Sequence, residues 1–292
     1  MKFKIPVSLN ILSPQSLFTP ADFLDAVRTY CDLLPNVLPE KWGWDEPDRV
    51  FDLQNFQALI PDRIDKMKVQ QSIPAQMRDI ASVDRERCET VNWERKKKPK
   101  AEGGFAVRWC SKSPKVHDTH ANIHFAVELD EVEQNALVNY LKKSSVRLHA
   151  DLALLDVHTP SYSEFARISG SAKYSDRIYV VTHSLRHWLP DVFWGTVFGP
   201  PYIALFGKEK LLSAPVAVAE QISGDMIYIQ LTDGLVDVAS DPVGMTQRRK
   251  AFKDHLGVDA FFEEGRGYDS FDQLDHGPFG DVFVTPKFEL VS

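Results

Sequence analysis

Strand and helix patterns are interspersed along this chain without the regular β-α-β alternation of a parallel-sheet protein. Near the N-terminus, every second residue of one short segment is apolar: Phe3, Ile5, Val7 and Leu9. This spacing predicts a half-buried first strand. Thr19-Pro20-Ala21-Asp22 then combines a hydroxyl N-cap, a first-turn proline and an acid three residues on, which predicts an amphipathic helix that ends before Pro35.

The second half of the chain shows the same mixture of elements. Two strands are predicted near Val216–Ala219 and Met226–Leu231, with Ser223-Gly224-Asp225 as the hairpin turn between them. Asp241-Pro242 predicts the start of a helix, and Gly257 stands where that helix would end. The predicted fold class is α+β, with mixed or antiparallel sheets packed by helices and with two similar α/β subdomains as an open alternative.

Weaker patterns predict the elements between these. Val146–Val157 is expected to be one long strand, and Lys41–Pro47 an aromatic loop. Asp52 is expected to cap a short helix. Residues 61–102 are polar with scattered aliphatic residues, which predicts one or two helices joined by long loops.

We predict three consecutive segments along the chain. Residues 1–157 form an N-terminal α+β subdomain, residues 177–260 a C-terminal α+β subdomain, and residues 261–292 an acidic C-terminal segment. The 292 residues carry a formal net charge of −7, and the last 39 of them contain nine acids against two bases, which accounts for the whole imbalance. A negative surface disfavours nucleic-acid phosphates and speeds association with a basic partner, whereas a merely solubilising segment is the alternative.

Basic residues are concentrated once, in Arg95-Lys96-Lys97-Lys98-Pro99-Lys100. Five bases in six residues are typical of a nucleic-acid or targeting patch. Pro99 inside the run and Gly103-Gly104 just after it favour a solvated loop instead. We therefore predict no nucleic-acid partner.

Apolar runs and cysteines favour a cytoplasmic protein without a membrane partner. No apolar run approaches the roughly 18 residues of a membrane span, and the N-terminus lacks the apolar stretch and cleavage site of a secretory signal. The three cysteines, Cys31, Cys88 and Cys110, include no close pair, so neither a disulfide framework nor a zinc ribbon is indicated.

Three histidines and an aspartate lie close together between residues 117 and 124. Imidazole nitrogens and carboxylate oxygens are ligands for zinc or iron. In an extended chain, however, His120 and His124 would simply share the polar face of an amphipathic strand. We therefore predict no catalytic residue, metal or cofactor, and keep one alternative: a metal-dependent hydrolase that uses His117, Asp118, His120 and His124.

An aromatic block bounded by glycine and proline runs over residues 188–215. Pro200 and Pro201 suit the first turn of a short helix. Tryptophan and tyrosine are frequent at the centres of protein interfaces, because they bury a large area with few rotatable bonds. Trp194 and Tyr202 are therefore candidate partner-binding residues, with core packing as the alternative for most of the block.

Two runs in this block, FGPPY at 198–202 and LFGKEKLLSAP at 205–215, resemble a recurring segment of bacterial immunity proteins. Those proteins are encoded beside polymorphic toxins, often ones delivered by type VI secretion. The pieces IQLTD at 229–233 and HLG at 255–257 extend the resemblance, which covers about 75 residues from Trp188 to Phe262. The motif carries no catalytic residue.

The resemblance implies that the protein neutralises a cognate toxin by stoichiometric binding and occlusion of the toxin's active site. Such a 1:1 complex would bury roughly 1,200–2,000 Å². The acidic segment would then meet a basic surface of the toxin and speed its capture. The candidate contact residues in that segment are Glu263, Glu264, Asp269, Asp272 and Asp275.

Overall fold

A computed structural model of the protein describes residues 4–13, 20–44, 46–59, 90–106, 120–158, 178, 180, 185 and 189–261. The strands in these ranges are β1 (Pro6–Ser13), β2 (Lys41–Gly43), β3 (Arg49–Val50), β4 (Thr90–Arg95), β5 (Ala101–Ala106), β6 (Ala121–Glu128), β7 (Leu152–Val157), β8 (Gly195–Phe198), β9 (Val218–Ser223) and β10 (Met226–Gln230). The helices are α1 (Pro20–Leu33), α2 (53–59), α3 (Gln134–Arg147), α4 (Pro200–Phe206), α5 (Lys208–Leu212), α6 (Asp237–Ser240) and α7 (Pro242–Leu256).

All ten strands belong to one antiparallel sheet, whose order is β3-β2-β4-β5-β6-β1-β7-β8-β10-β9. Helices flank this sheet and no parallel β-α-β unit occurs in the described ranges, so the predicted α+β class is confirmed. The first strand, β1, lies near the middle of the sheet, between β6 and β7. Every residue of β1 after its first is buried for that reason.

Helices α1 and α3 pack on one face of the sheet through a cluster of aromatic rings. The ring of Tyr30 on α1 lies 5.2–5.6 Å from the rings of four others, and its hydroxyl donates a hydrogen bond of 2.8 Å to the carbonyl of Val37. The four rings belong to Trp93, Phe105, Phe125 and Tyr140. The amphipathic spacing predicted for α1 is therefore the spacing that buries Tyr30.

Helix α7 packs on the opposite face, over the C-terminal part of the sheet. Its Phe252 stacks on Phe198 of β8, with ring centroids 6.2 Å apart and an interplanar angle of 14°. Its Arg249 donates a hydrogen bond of 2.7 Å to Asp156 of β7. Asp156 is completely buried, and its carboxylate also accepts hydrogen bonds from the backbone N–H groups of Val157 and Trp194. A single carboxylate thus connects β7, the start of β8 and α7.

Several predicted boundaries are confirmed. Helix α1 begins at Pro20 and ends two residues before Pro35. The Asp241 side chain accepts a 2.9 Å hydrogen bond from the N–H of Gly244 at the start of α7, and Gly257 ends that helix with a φ of 112°. The hairpin of β9 and β10 turns at residues 224–225, although β9 begins later and extends further than predicted.

Three predictions were wrong. Val146 belongs to α3, and the strand expected from there begins only at Leu152, after a turn in which His149 has a φ of 48°. Lys41 and Trp42 form strand β2 rather than a loop, because they pair with β4. That partner strand and the start of β5 lie within the region predicted as helices and loops.

The predicted division near residue 157 falls between two neighbouring strands of the sheet. Residues 159–177 are outside the described ranges, but β7 before them pairs with β8 after them. The separate subdomains remain a prediction, and the strands of both contribute to the same sheet.

We expect Asp156→Ala to lower the free energy of unfolding by about 3–5 kcal/mol, because it leaves the guanidinium of Arg249 buried without its carboxylate. Chemical denaturation measures this change. The matched control is Asp254→Ala, which removes an ion pair with Lys250. The side chains of Lys250 and Asp254 are 75% and 48% exposed. That variant should cost less than about 1 kcal/mol. Equal costs for the two variants would contradict a central role for Asp156.

Candidate functional site

The segment FGPPY contains a glycine, Gly199, at a position that has no room for a side chain. A Cβ atom on Gly199 would stand 2.1 Å from the carbonyl oxygen of Ala150. The N–H of Gly199 donates a 2.8 Å hydrogen bond to the carbonyl of Asp151, which joins the start of α4 to the start of β7. Pro200 occupies the first turn of α4, as predicted. The two aromatic residues of the segment, Phe198 and Tyr202, pack on each other at 5.7 Å.

The following segment connects α5 to the end of α7. The ammonium of Lys210 donates a 3.0 Å hydrogen bond to the carbonyl of Leu256, and the Nε2 of His255 lies 2.7 Å from the carbonyl oxygen of Lys210. A lysine near the C-terminus of α7 stabilises the negative end of that helix. The two pieces GKEK and HLG of the motif therefore contact each other, and the residues named here act in packing.

Trp194 and Tyr202 lie in the core. The indole of Trp194 is 0% exposed and donates a 2.9 Å hydrogen bond to the hydroxyl of Thr232, and Tyr202 is 2% exposed. Burial, and secondarily the charge of Asp151, raise the pKa of the Tyr202 hydroxyl well above its usual value. Neither ring is on the surface, which agrees with core packing, the alternative given for this block.

The described part of the histidine cluster contributes to the sheet. His124 lies on the face of β6 opposite that of Ile123, as the alternation predicted, and His120 directly precedes this strand. The Nε2 of His120 is 3.0 Å from a carboxylate oxygen of Asp151, which connects the start of β6 to the start of β7. His117 and Asp118 lie outside the described residues. Within the described ranges, no three histidine, cysteine or acidic side chains are grouped as metal ligands.

The described residues include one cysteine, Cys31, and no membrane-spanning helix. Burial raises the pKa of the Cys31 thiol to about 11, so little thiolate is present near neutral pH. No described helix is long and apolar enough to cross a membrane.

The basic run forms the loop between β4 and β5, as the solvated-loop interpretation predicted. Each of its first three lysines has its ammonium within 4 Å of a glutamate: Lys96 with Glu94, Lys97 with Glu40 and Lys98 with Glu131. Hydrogen bonds from the N–H of Lys100 and from Lys98 lower the pKa of Glu131. These lysines are exposed, so each pair is weak, but the loop has neighbouring acids rather than a bare cationic surface.

A groove on the α1 and α3 side of the sheet is a feature that no sequence pattern predicted. Its volume is about 720 Å³, and it is bounded by residues of α1, of α3 and of the edge strand β9. Leu33, Val146 and Ile222 contribute apolar surface from these three elements. Each of the three segments is more than 70 residues from the other two along the chain, so no local pattern indicates that they meet.

The charges of the groove are mostly paired. Lys142 forms an ion pair with Glu220 and lies 4.2 Å from the ring centre of Tyr228. Arg147 pairs with Asp25 beside the groove. Lys143 is exposed, and the structure gives it no ion pair among the described residues. Lys143 is therefore the one cation of the lining to which the structure gives no ion pair among the described residues, and Asp32 is the corresponding anion.

The five predicted acidic contacts between Glu263 and Asp275 lie outside the described residues, so their role stays a prediction.

Comparison with known proteins assigns no family to the chain. No family model and no curated protein matches the chain. Among solved structures, the chain is similar to one described as Pseudomonas aeruginosa T6SS protein PA0821, at 11% identity and a TM-score of 0.46, over 93% of this chain and 80% of that one. A likeness of that degree assigns neither family nor function.

We expect Gly199→Ala to lower the free energy of unfolding by at least about 2 kcal/mol, because the new methyl group would overlap the carbonyl of Ala150. The control is Gly224→Ala at the β9–β10 turn, where an added Cβ would have no atom within 4 Å. Thermal unfolding of both variants measures the difference. A Gly199→Ala protein as stable as Gly224→Ala would show that the segment is not constrained by this contact.

Proposed function

We propose that this protein is an immunity protein that neutralises a cognate bacterial toxin by direct 1:1 binding and occlusion of its active site. The observation that carries the proposal is the segment over residues 198–215, which resembles a recurring segment of immunity proteins. Its described residues pack α4, α5 and α7 on the sheet. A protein that acts by binding needs such a rigid scaffold and no reaction chemistry of its own.

The surface of the scaffold supports the same proposal. A standard interface buries roughly 1,200–2,000 Å² in total, and a ten-stranded sheet with a groove at one edge offers room for it. The acidic C-terminal segment would attract a toxin that has a basic surface, such as one that acts on nucleic acid or nucleotides. Capture would then be fast, which protects the cell before the toxin acts.

The direct test is co-purification with the product of the immediately upstream gene. We expect a stable one-to-one complex and restored growth when the two proteins are expressed in equal amounts. As a control, His124→Ala should rescue growth equally well, because a binder does not depend on the histidine cluster. Rescue at substoichiometric amounts without a complex, lost in His124→Ala, would contradict the proposal and favour the hydrolase.

The contribution of the acidic segment is tested by charge reversal of Glu263, Glu264, Asp269, Asp272 and Asp275 to lysine. We expect association with the toxin at low salt to slow by about tenfold or more and to depend less on salt, because electrostatic steering is lost. Stopped-flow binding at several salt concentrations measures both effects.

The control for charge reversal has the same net charge but changes acids elsewhere. It reverses five exposed acids of the described surface: Glu46, Asp130, Glu133, Glu209 and Asp233. If this variant slows association as much as the first, only the overall charge matters. If neither variant changes the rate, the segment serves solubility alone.

A further inference from the structure

Among the described residues, the sheet ends in two edge strands, and only one of these two is long enough to accept another strand. At one edge β3 has two residues, whereas at the other β9 has six. In the described part of the protein, β9 pairs with β10 on one side and with no strand on the other. Backbone N–H and C=O groups alternate in direction along a strand, so about half of those in β9 point outward.

The sequence of β9 lacks most of the devices that keep edge strands from pairing. Its six residues, VAEQIS, include neither proline nor lysine, and its one acid, Glu220, is neutralised by Lys142. A register shift opposite Met226 and Ile227 disturbs only the end near the turn. The remaining residues, from Val218 to Gln221, keep a regular register with β10 and therefore offer a regular outer edge.

The groove lies beside this edge, and α3 forms its wall. Asn139, Lys142, Lys143 and Val146 recur at the spacing that places residues on one face of a helix, and all four line the groove with β9. An extended segment paired with β9 would have every second side chain on the side of this wall. Val146 and Leu33 would then contact apolar side chains of the segment, and Lys143 would meet an acidic one.

We propose that β9 and the groove beside it bind an extended segment of the toxin, which adds a strand to the sheet and presents a carboxylate to Lys143. The inference rests on the proposed function, since it names the surface with which the protein holds its toxin. Strand addition gives affinity through main-chain hydrogen bonds and specificity through alternate side chains. Lys142 and Arg147 are already paired with Glu220 and Asp25, so the cation that the groove offers to a partner is Lys143, which an acidic side chain of the segment would pair.

A second copy of the chain fits this edge less well. Two β9 strands that pair antiparallel about a two-fold axis normal to the sheet would bring the two α3 helices to the same side. The exposed Lys143 side chains of the two copies would then lie on that same side, where their like charges repel. The unbalanced charge at Lys143 therefore favours a different chain that carries an acid.

The test uses the purified complex of the full-length protein with the upstream gene product. Val218→Pro and Ala219→Pro each remove one backbone donor, and because adjacent N–H groups point in opposite directions, one of the two removes an outward donor while leaving the β10 pairing intact. Thermal unfolding identifies that variant as the more stable of the two. It should bind at least about tenfold more weakly than the wild type.

The charge of the groove is tested by Lys143→Glu. The control is Lys208→Glu, at another exposed lysine that forms no ion pair with the described residues. We expect Lys143→Glu to weaken binding by about tenfold or more and Lys208→Glu by less than about twofold. Amide hydrogen exchange should also slow by about tenfold or more in β9, and not in β3, when the complex forms.

The outcomes separate this inference from the proposed function. A wild-type complex whose affinity is unchanged by the stable proline variant and by Lys143→Glu, with no protection of β9, overturns the strand addition and leaves the immunity function standing. A free protein that dimerises through β9, and loses the dimer in the same variants while the toxin still binds, assigns the edge to a second copy and also overturns it. Absence of any complex and of any rescue overturns the proposed function and this inference together.

Discussion

The buried carboxylate of Asp156 joins the strands that precede residue 158 to helix α7, further along the chain. It lies on β7, and it accepts hydrogen bonds from the N–H of Trp194 just before β8 and from the guanidinium of Arg249 on α7. A buried charge is costly unless its hydrogen-bonding capacity is used, and here a cation and two backbone donors use it. Strand β7 thus provides the acceptor, the Asp156 carboxylate, and helix α7 provides the donor, the Arg249 guanidinium.

The segment over residues 198–215 contacts the same helix. Lys210 binds the C-terminal end of α7 through the carbonyl of Leu256, and Arg249 of α7 binds Asp156. Helix α5, which carries Lys210, follows α4, whose start is fixed by the close approach of Gly199 to Ala150. Gly199 and Lys210 therefore have structural roles that require no contact with a partner.

The sequence predicts those elements whose signals are local. Pro20, Asp241 and Gly257 mark helix ends through their own backbone and side-chain preferences, and the structure agrees with each. Strand β2 was missed because it depends on pairing with β4, about 50 residues away, while its own sequence resembles an aromatic loop. The strand expected from Val146 failed because α3 continues through a residue whose β-branched side chain also suits a strand.

The same distinction applies to the candidate site. Its composition made Trp194 a candidate for contact with a partner. A sheet with helices on both faces also needs large side chains in its core, and Trp194 is buried in that core. The groove is formed by side chains from α1, α3 and β9, whose proximity depends on β9 being the last strand of the sheet. That position is decided by β10 pairing with β8 on one side and β9 on the other, so the open edge follows from the topology and not from the sequence of β9. Lys143 and Gln221 on this surface are exposed, so substitutions at either position should cost the scaffold about 0.5 kcal/mol or less.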